Sequence, residues 1–179
     1  MTRHTSTASR RTRQLLGAAL AAVAVVLATA GAASARSSDW VPWQPPTGVV
    51  AYCGSTPVHL TWPDNKEFVR ELPLEPGTTD IQQFTGTLYV RFTTDAGASV
   101  LVNAGGPGLA ITYTNGDVET RSFGHYVFSV TPEQAAALGV PPVFATTGLI
   151  DFIYHPADNT MTPLKIPNAV TNVCDALTR

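Results

Sequence analysis

The feature that most constrains what this chain can fold into is a succession of short strand patterns separated by turn residues. The clearest strand runs from Thr85 to Thr94, where apolar and polar side chains alternate with the period of two that buries one face. Asp95–Gly97 turns this strand into a second apolar run, and Asn115-Gly116 is the strongest short hairpin signal in the chain. About eight or nine short strands, spaced roughly ten residues apart, predict an all-β protein, either an antiparallel β-sandwich or a barrel-like fold.

Prolines and glycines mark the breaks in this pattern. Short strands are predicted over residues 57–62 and 67–72, and Pro63-Asp64-Asn65 is expected to end the first of them, because proline removes a backbone donor. The run Gly148–Tyr154 is apolar on both faces, which is typical of a central strand.

One short connecting helix is predicted between strands. Thr131 can cap its first turn, Pro132 suits the position after the cap, and Gln134 has the capping-box spacing. An alanine-rich stretch follows, and Gly139 is the residue type that commonly ends a helix. A helix this short connects strands and does not form a layer of the fold.

The cysteines constrain the fold further, because the chain has only Cys53 and Cys174. In an oxidising compartment a lone pair most simply forms a disulfide, and this pair would join the first part of the domain to its last. A redox-active pair usually occurs as Cys-x-x-Cys, which this spacing is not. We therefore expect a structural disulfide that closes a loop of about 120 residues.

The N-terminal segment has the three parts of an export signal. Four arginines precede an apolar run from Leu15 to about Ala33, and the small residues Ala33-Ser34-Ala35 form a cleavage site. We expect a signal peptide over residues 1–35 and secretion from a bacterial cell into the extracellular space. The apolar run is also about long enough to remain as a membrane anchor, and Arg10-Arg11 leaves twin-arginine export open beside the general route.

The rest of the chain has the size of one domain and an acidic balance. The proline-rich residues 36–48 are predicted as an extended lead-in and residues 49–179 as a single β-rich domain. The full sequence has 11 Lys and Arg against 13 Asp and Glu, and without the four leader arginines the balance is 7 against 13, a net charge of −6. Because the remaining basic residues are scattered singly, nucleic acids and anionic membranes are excluded as partners.

No group of residues has the spacing of a catalytic, metal or cofactor site. His59, His125 and His155 are far apart in the sequence, and no serine lies in a nucleophile-elbow motif. Asp117 and Glu119 share one face of a predicted strand, where solvent exposure is expected. Surface positions are also expected for three other glutamates: Glu67, Glu71 and Glu75. We therefore predict no catalytic residue, no metal and no cofactor.

Two groups of residues are candidates for contact with a ligand or partner. Exposed indole rings can stack on sugars or anchor protein interfaces, although they can equally cover the end of a core. The tryptophans concerned are Trp40, Trp43 and Trp62. The glycine-rich loop 103–108 needs tight or left-handed backbone and is predicted to bend the chain, with a backbone-lined contact site as the alternative. Its candidate contact residues are Asn103, Gly105, Gly106 and Gly108.

These features favour a secreted, non-catalytic β-sandwich module over an enzyme. Polysaccharide, cell wall and protein all remain possible ligands, and no membrane partner is expected after signal cleavage. Two alternatives stay open: a small secreted hydrolase whose residues converge only in the fold, and a protease inhibitor that presents loop 103–108. An exposed apolar patch would favour the binding module. A deep pocket that joins a histidine to a carboxylate of shifted pKa would favour the hydrolase.

Overall fold

The computed structural model describes residues 39–166 and 169–178, so the predicted signal peptide, residues 1–35, lies outside the described residues. The strands are β1 (Val41–Pro42), β2 (Val50–Cys53), β3 (Thr56–Glu71), β4 (Thr78–Thr94), β5 (Ser99–Asn103), β6 (Gly108–Tyr113), β7 (Val118–Ser129), β8 (Val143–His155), β9 (Thr160–Lys165) and β10 (Val170–Asn172). The helices are α1 (Pro132–Leu138) and α2 (Val173–Leu177). Within these residues, none of the helices has the length and apolar character needed to cross a membrane.

All the described strands belong to one antiparallel sheet, which confirms the predicted all-β class. The main strand order is β1-β3-β4-β6-β7-β8-β10, with β2 beside β3, β5 beside β4 and β9 beside β8. The sheet does not close into a barrel. The described residues form ten strands. Four of them, β3, β4, β7 and β8, are 12 residues or longer. They are longer than predicted because several positions expected to end a strand are bulges or bends within it.

The expected break at Pro63 is wrong, because β3 continues through it. The pairing of β3 with β4 shifts between Thr61 and Asp64, so Trp62 and Pro63 lie in a β-bulge. A bulge interrupts the ladder of hydrogen bonds, and proline is tolerated there because its missing N–H has no partner to lose.

A row of glycines crosses the middle of the sheet. β5 and β6 pair with successive parts of the same side of β4, and residues 104–107 join them. A Cβ added to Gly106 would lie 2.7 Å from the Cα of Gly124, which is itself the register partner of Gly148. Glycine in a strand interior permits close backbone approach and sharp bending. We call this set the glycine row: Gly86, Gly105, Gly106, Gly124 and Gly148.

The sheet bends at the glycine row. Thr120 and Tyr126 lie on either side of Gly124 in β7, and their side chains are close enough for the Thr120 hydroxyl to lower the pKa of Tyr126 against the larger rise that burial causes. A straight strand would separate residues six positions apart by about 20 Å. β7 must therefore turn sharply between them.

This bend brings the two ends of the sheet together around a shared core. Val58 of β3 and Phe92 of β4 pack in one cluster with Val143 of β8 and Val173 of α2, although β6 and β7 lie between these strands in the sheet. The predicted disulfide between Cys53 and Cys174 is confirmed and joins β2 to α2, with the Cα atoms 5.4 Å apart. Such a bond indicates an oxidising, extracellular environment.

The predicted connecting helix is confirmed as α1. The side chain of Thr131 accepts a hydrogen bond from the Gln134 backbone, the Gln134 side chain accepts one in return, and Gly139 ends the helix in a left-handed conformation. The helix contributes Ala135 to a second cluster, in which the rings of Phe128 and Phe144 are stacked 4.8 Å apart.

The segment predicted as an extended lead-in takes part in the sheet. Val41 and Pro42 form β1, which pairs with Val69 and Phe68 of β3. Trp43 follows directly and is buried in the first core cluster. The described part of residues 36–48 therefore packs as an edge of the folded domain.

Candidate functional site

The folded sheet forms a partly open cavity of about 140 Å³, lined in part by residues of the first core cluster. Its walls come from β2, β3, β4, β6 and β7 and are largely apolar, with Leu60, Phe84, Val90 and Leu109 among the lining residues. Engineered apolar cavities of about 150 Å³ admit a benzene-sized molecule. The volume and lining therefore suit a small, mainly apolar ligand.

The bulge in β3 places a carboxyl group in this cavity. Before the bulge, even-numbered residues of β3 such as Val58 point into the core. After the bulge, the odd-numbered Glu67 points inward, whereas the even-numbered Phe68 is 39% exposed. One extra residue in a strand exchanges its two faces from that point on. The expectation that Glu67 lies at the surface is therefore wrong, since it is 8% exposed and lines the cavity.

Burial raises the pKa of Glu67 from 4.5 to about 7. The charged form loses its hydration in the cavity wall, and Glu67 forms no ion pair among the described residues. Tyr126 also lines the cavity, and desolvation, followed by the negative charge of Glu67, raises its pKa to about 12. At neutral pH the cavity thus holds a neutral tyrosine and a carboxyl group that is only partly ionised.

Two of the three tryptophans line the same cavity. Trp43 is 7% exposed, and its indole Nε1–H has no hydrogen-bond partner among the described residues. Its backbone holds it beside Glu67, because the Trp43 N–H donates to the Glu67 carbonyl at 2.9 Å. Trp62 is half-buried and lies in the bulge of β3 itself. Trp40 is not part of the cavity: its ring is 39% exposed and lies under the Arg70 guanidinium at 4.7 Å.

The glycine-rich loop forms part of the cavity wall and of the glycine row. Gly106 and Gly108 line the cavity, whereas a Cβ on Gly105 would lie 2.4 Å from the Leu88 backbone nitrogen. The Asn103 side chain accepts a hydrogen bond from the Gly105 N–H at 3.0 Å and so shapes the loop. The Gly105 carbonyl accepts from the backbone of His125 in β7. This packing between strands gives no support to the protease-inhibitor alternative, which requires a projecting loop.

The opposite face of β7 carries a hydrogen-bonded ionic cluster. The Arg121 guanidinium donates to Glu119 at 2.5 Å and to Asp151 at 3.0 Å, and the Tyr113 hydroxyl donates to Glu119 at 2.5 Å. The expectation of solvent exposure for Glu119 is wrong, since it is 7% exposed. The hydrogen bond to Glu119 raises the pKa of Tyr113. Because Arg121 forms ion pairs with both carboxylates, this cluster has the character of a structural network.

The three histidines of the described region do not converge. His59 contacts Asp95 at 2.7 Å, His125 contacts the Thr147 hydroxyl at 3.0 Å, and His155 contacts Asp117 at 2.9 Å. The hydrogen bond from His155 lowers the pKa of Asp117. Across residues 39–166 and 169–178, no group of three or more His, Cys, Asp or Glu side chains is arranged to hold a metal ion.

No protein-family model, no curated protein and no solved structure matches this chain. The description of the site therefore rests on the positions and contacts of its own residues. The sequence pointed to Trp43, Trp62, Gly106 and Gly108, all of which line the cavity, and it missed Glu67 and Tyr126.

Proposed function

We propose that this protein is a secreted, non-catalytic binding module whose ligand is a small, mainly apolar molecule held in the cavity of the folded sheet. The observation that carries the proposal is the cavity of about 140 Å³ between Trp43, Trp62 and the aliphatic walls. Pockets for small ligands are usually apolar, with a few polar groups that orient the bound molecule. Glu67 and Tyr126 supply such groups here.

Two features support secretion. The leader-like residues 1–35 have the composition of a cleavable export signal. The Cys53–Cys174 disulfide suits an oxidising compartment, in which such bonds persist.

A binding experiment with a blocked cavity tests the proposal. Ala110 lines the cavity, and Ala110→Phe would place a ring inside it, whereas Ala96→Phe would alter an exposed turn. Benzene-sized probes, neutral and charged, should raise the Tm of the natural protein and of Ala96→Phe but not of Ala110→Phe. Equal shifts in all three proteins, or no shift with any probe, would contradict a cavity-binding function.

The hydrolase remains a second candidate because of one observation. Glu67 has a pKa of about 7 in a cavity that also includes His125, and a carboxyl group of that pKa suits general acid–base catalysis. Chromogenic esters and glycosides small enough for the cavity test this candidate. Turnover that Glu67→Gln abolishes and Glu71→Gln retains would establish an enzyme in place of a binding module.

A further inference from the structure

The charge of the cavity wall limits which ligands it can accept. Among the described residues that line it is the buried carboxyl group of Glu67, and neither a lysine nor an arginine. The lining histidine, His125, is engaged through Nδ1 with the Thr147 hydroxyl at 3.0 Å. An anion would lose its hydration on entering a site that contains the Glu67 carboxyl group and offers no lysine or arginine, so anionic ligands are disfavoured.

A cation would meet the opposite conditions at the same wall. Glu67 is 8% exposed and takes part in no ion pair among the described residues. A buried carboxylate without a counter-charge is unfavourable, and a bound cation within contact distance would offset that penalty. The cavity is therefore more complementary to a positive ligand than to a neutral one of equal size.

The aromatic lining adds a second attraction for a cation. The rings of Trp43, Trp62, Phe84, Phe92 and Tyr126 all contribute to the cavity. The negative face of an aromatic ring attracts a nearby ammonium group, and tryptophan does so most strongly. An ammonium group could thus be held by Glu67 and by ring faces, with its carbon skeleton against the aliphatic residues.

Resting on the proposed binding function, we infer that the ligand is an organic cation, with an ammonium group paired with Glu67 and an apolar body in the cavity. The volume of about 140 Å³ sets the size of that body. It corresponds to about six to ten non-hydrogen atoms, since a benzene ring occupies an engineered cavity of similar volume.

Three probes of nearly equal shape separate charge from size: benzylammonium, benzyl alcohol and benzoate. Their affinities are measured by isothermal titration calorimetry at about pH 8 on the protein purified after expression of the full chain, with Glu67 ionised. The affinity for benzylammonium should be at least about tenfold higher than that for benzyl alcohol, and benzoate should bind most weakly.

Two variants locate the effect. Glu67→Gln should reduce the affinity for benzylammonium to that for benzyl alcohol, whereas Glu71→Gln, at an exposed position of the same strand, should leave the affinity order unchanged. Benzyl alcohol binding as tightly as benzylammonium would overturn the cation inference and leave the cavity-binding function standing. Absence of binding by all three probes would overturn both, and the probe series on the unaltered protein decides the question even if Glu67→Gln does not fold.

Discussion

Replacement of Glu67 by glutamine should remove a large part of the pH dependence of stability. The carboxyl group is 8% exposed, and burial raises its pKa from 4.5 to about 7. At about 1.4 kcal/mol per pKa unit, this rise corresponds to about 3 kcal/mol of destabilisation of the folded state when the group is ionised.

The sign follows from which state holds the proton. Below about pH 4.5 the group is protonated in both folded and unfolded chains, so it makes no difference to stability there. Between about pH 4.5 and 7 the folded state keeps the proton longer, and the free energy of unfolding falls as the pH rises. Above that range both states are ionised and the full penalty applies.

Glutamine is neutral throughout, so Glu67→Gln should be more stable than the natural protein by up to about 3 kcal/mol at about pH 8 and by little at about pH 4.5. Urea denaturation at both pH values, followed by tryptophan fluorescence, measures the difference. Glu71→Gln, exposed on the same strand, is the control and should show no comparable trend. A stability difference between Glu67→Gln and the natural protein that is the same at both pH values would refute the burial of an ionisable Glu67.

Three further substitutions test the fold, each by urea denaturation. Cys53→Ser should lower the free energy of unfolding by about 5 kcal/mol, because the disulfide closes a loop spanning 121 residues, and an unchanged transition would contradict a stabilising bridge. Gly124→Ala should destabilise by about 1–3 kcal/mol or more, since the added Cβ would lie 2.7 Å from the Gly106 Cα, and a neutral effect would contradict the tight glycine row. Thr131→Ala should remove the cap of α1 and cost about 1 kcal/mol, whereas the same loss in Thr131→Ser would show that the hydroxyl is not responsible.

Elements that depend on neighbouring residues could be predicted from the sequence. The helix α1 begins and ends where Thr131, Gln134 and Gly139 indicate, because capping involves residues within one turn. The hairpin at Asn115-Gly116 forms for the same reason, with Gly116 at positive φ. The disulfide could be predicted from the number of cysteines, because the chain has only two and Cys174 is the one possible partner of Cys53.

The position of Glu67 could not be predicted from the alternation of residues. An alternating pattern predicts a face only while the register is unbroken, and the bulge at Trp62 and Pro63 changes the register without a distinctive sequence signal. The proline indicated an end of the strand, whereas the neighbouring strand β4 continues past it and holds β3 in place. Tertiary pairing therefore decided which side chains entered the cavity.

The cavity itself depends on contacts that are distant in sequence. Trp43 and Tyr126 both line it although they are 83 positions apart in the sequence, and the bend that unites them passes through the glycine row. A signal was present, because Gly86, Gly124 and Gly148 each interrupt a strand interior, where glycine is unfavourable unless close packing requires it. Which strands would meet at these glycines was not deducible without the pairing.

The disulfide has a consequence for resistance to proteolysis. Every residue from Gly54 to Val173 lies within the covalent ring that Cys53 and Cys174 close. A single cut in an exposed turn, such as the one at Ala96 or at Gly116, would therefore leave the two fragments joined, and the strands on each side of the cut would still be held by their neighbours. The nicked protein would migrate as one species until the bridge is reduced, and it would need no religation to keep its cavity intact.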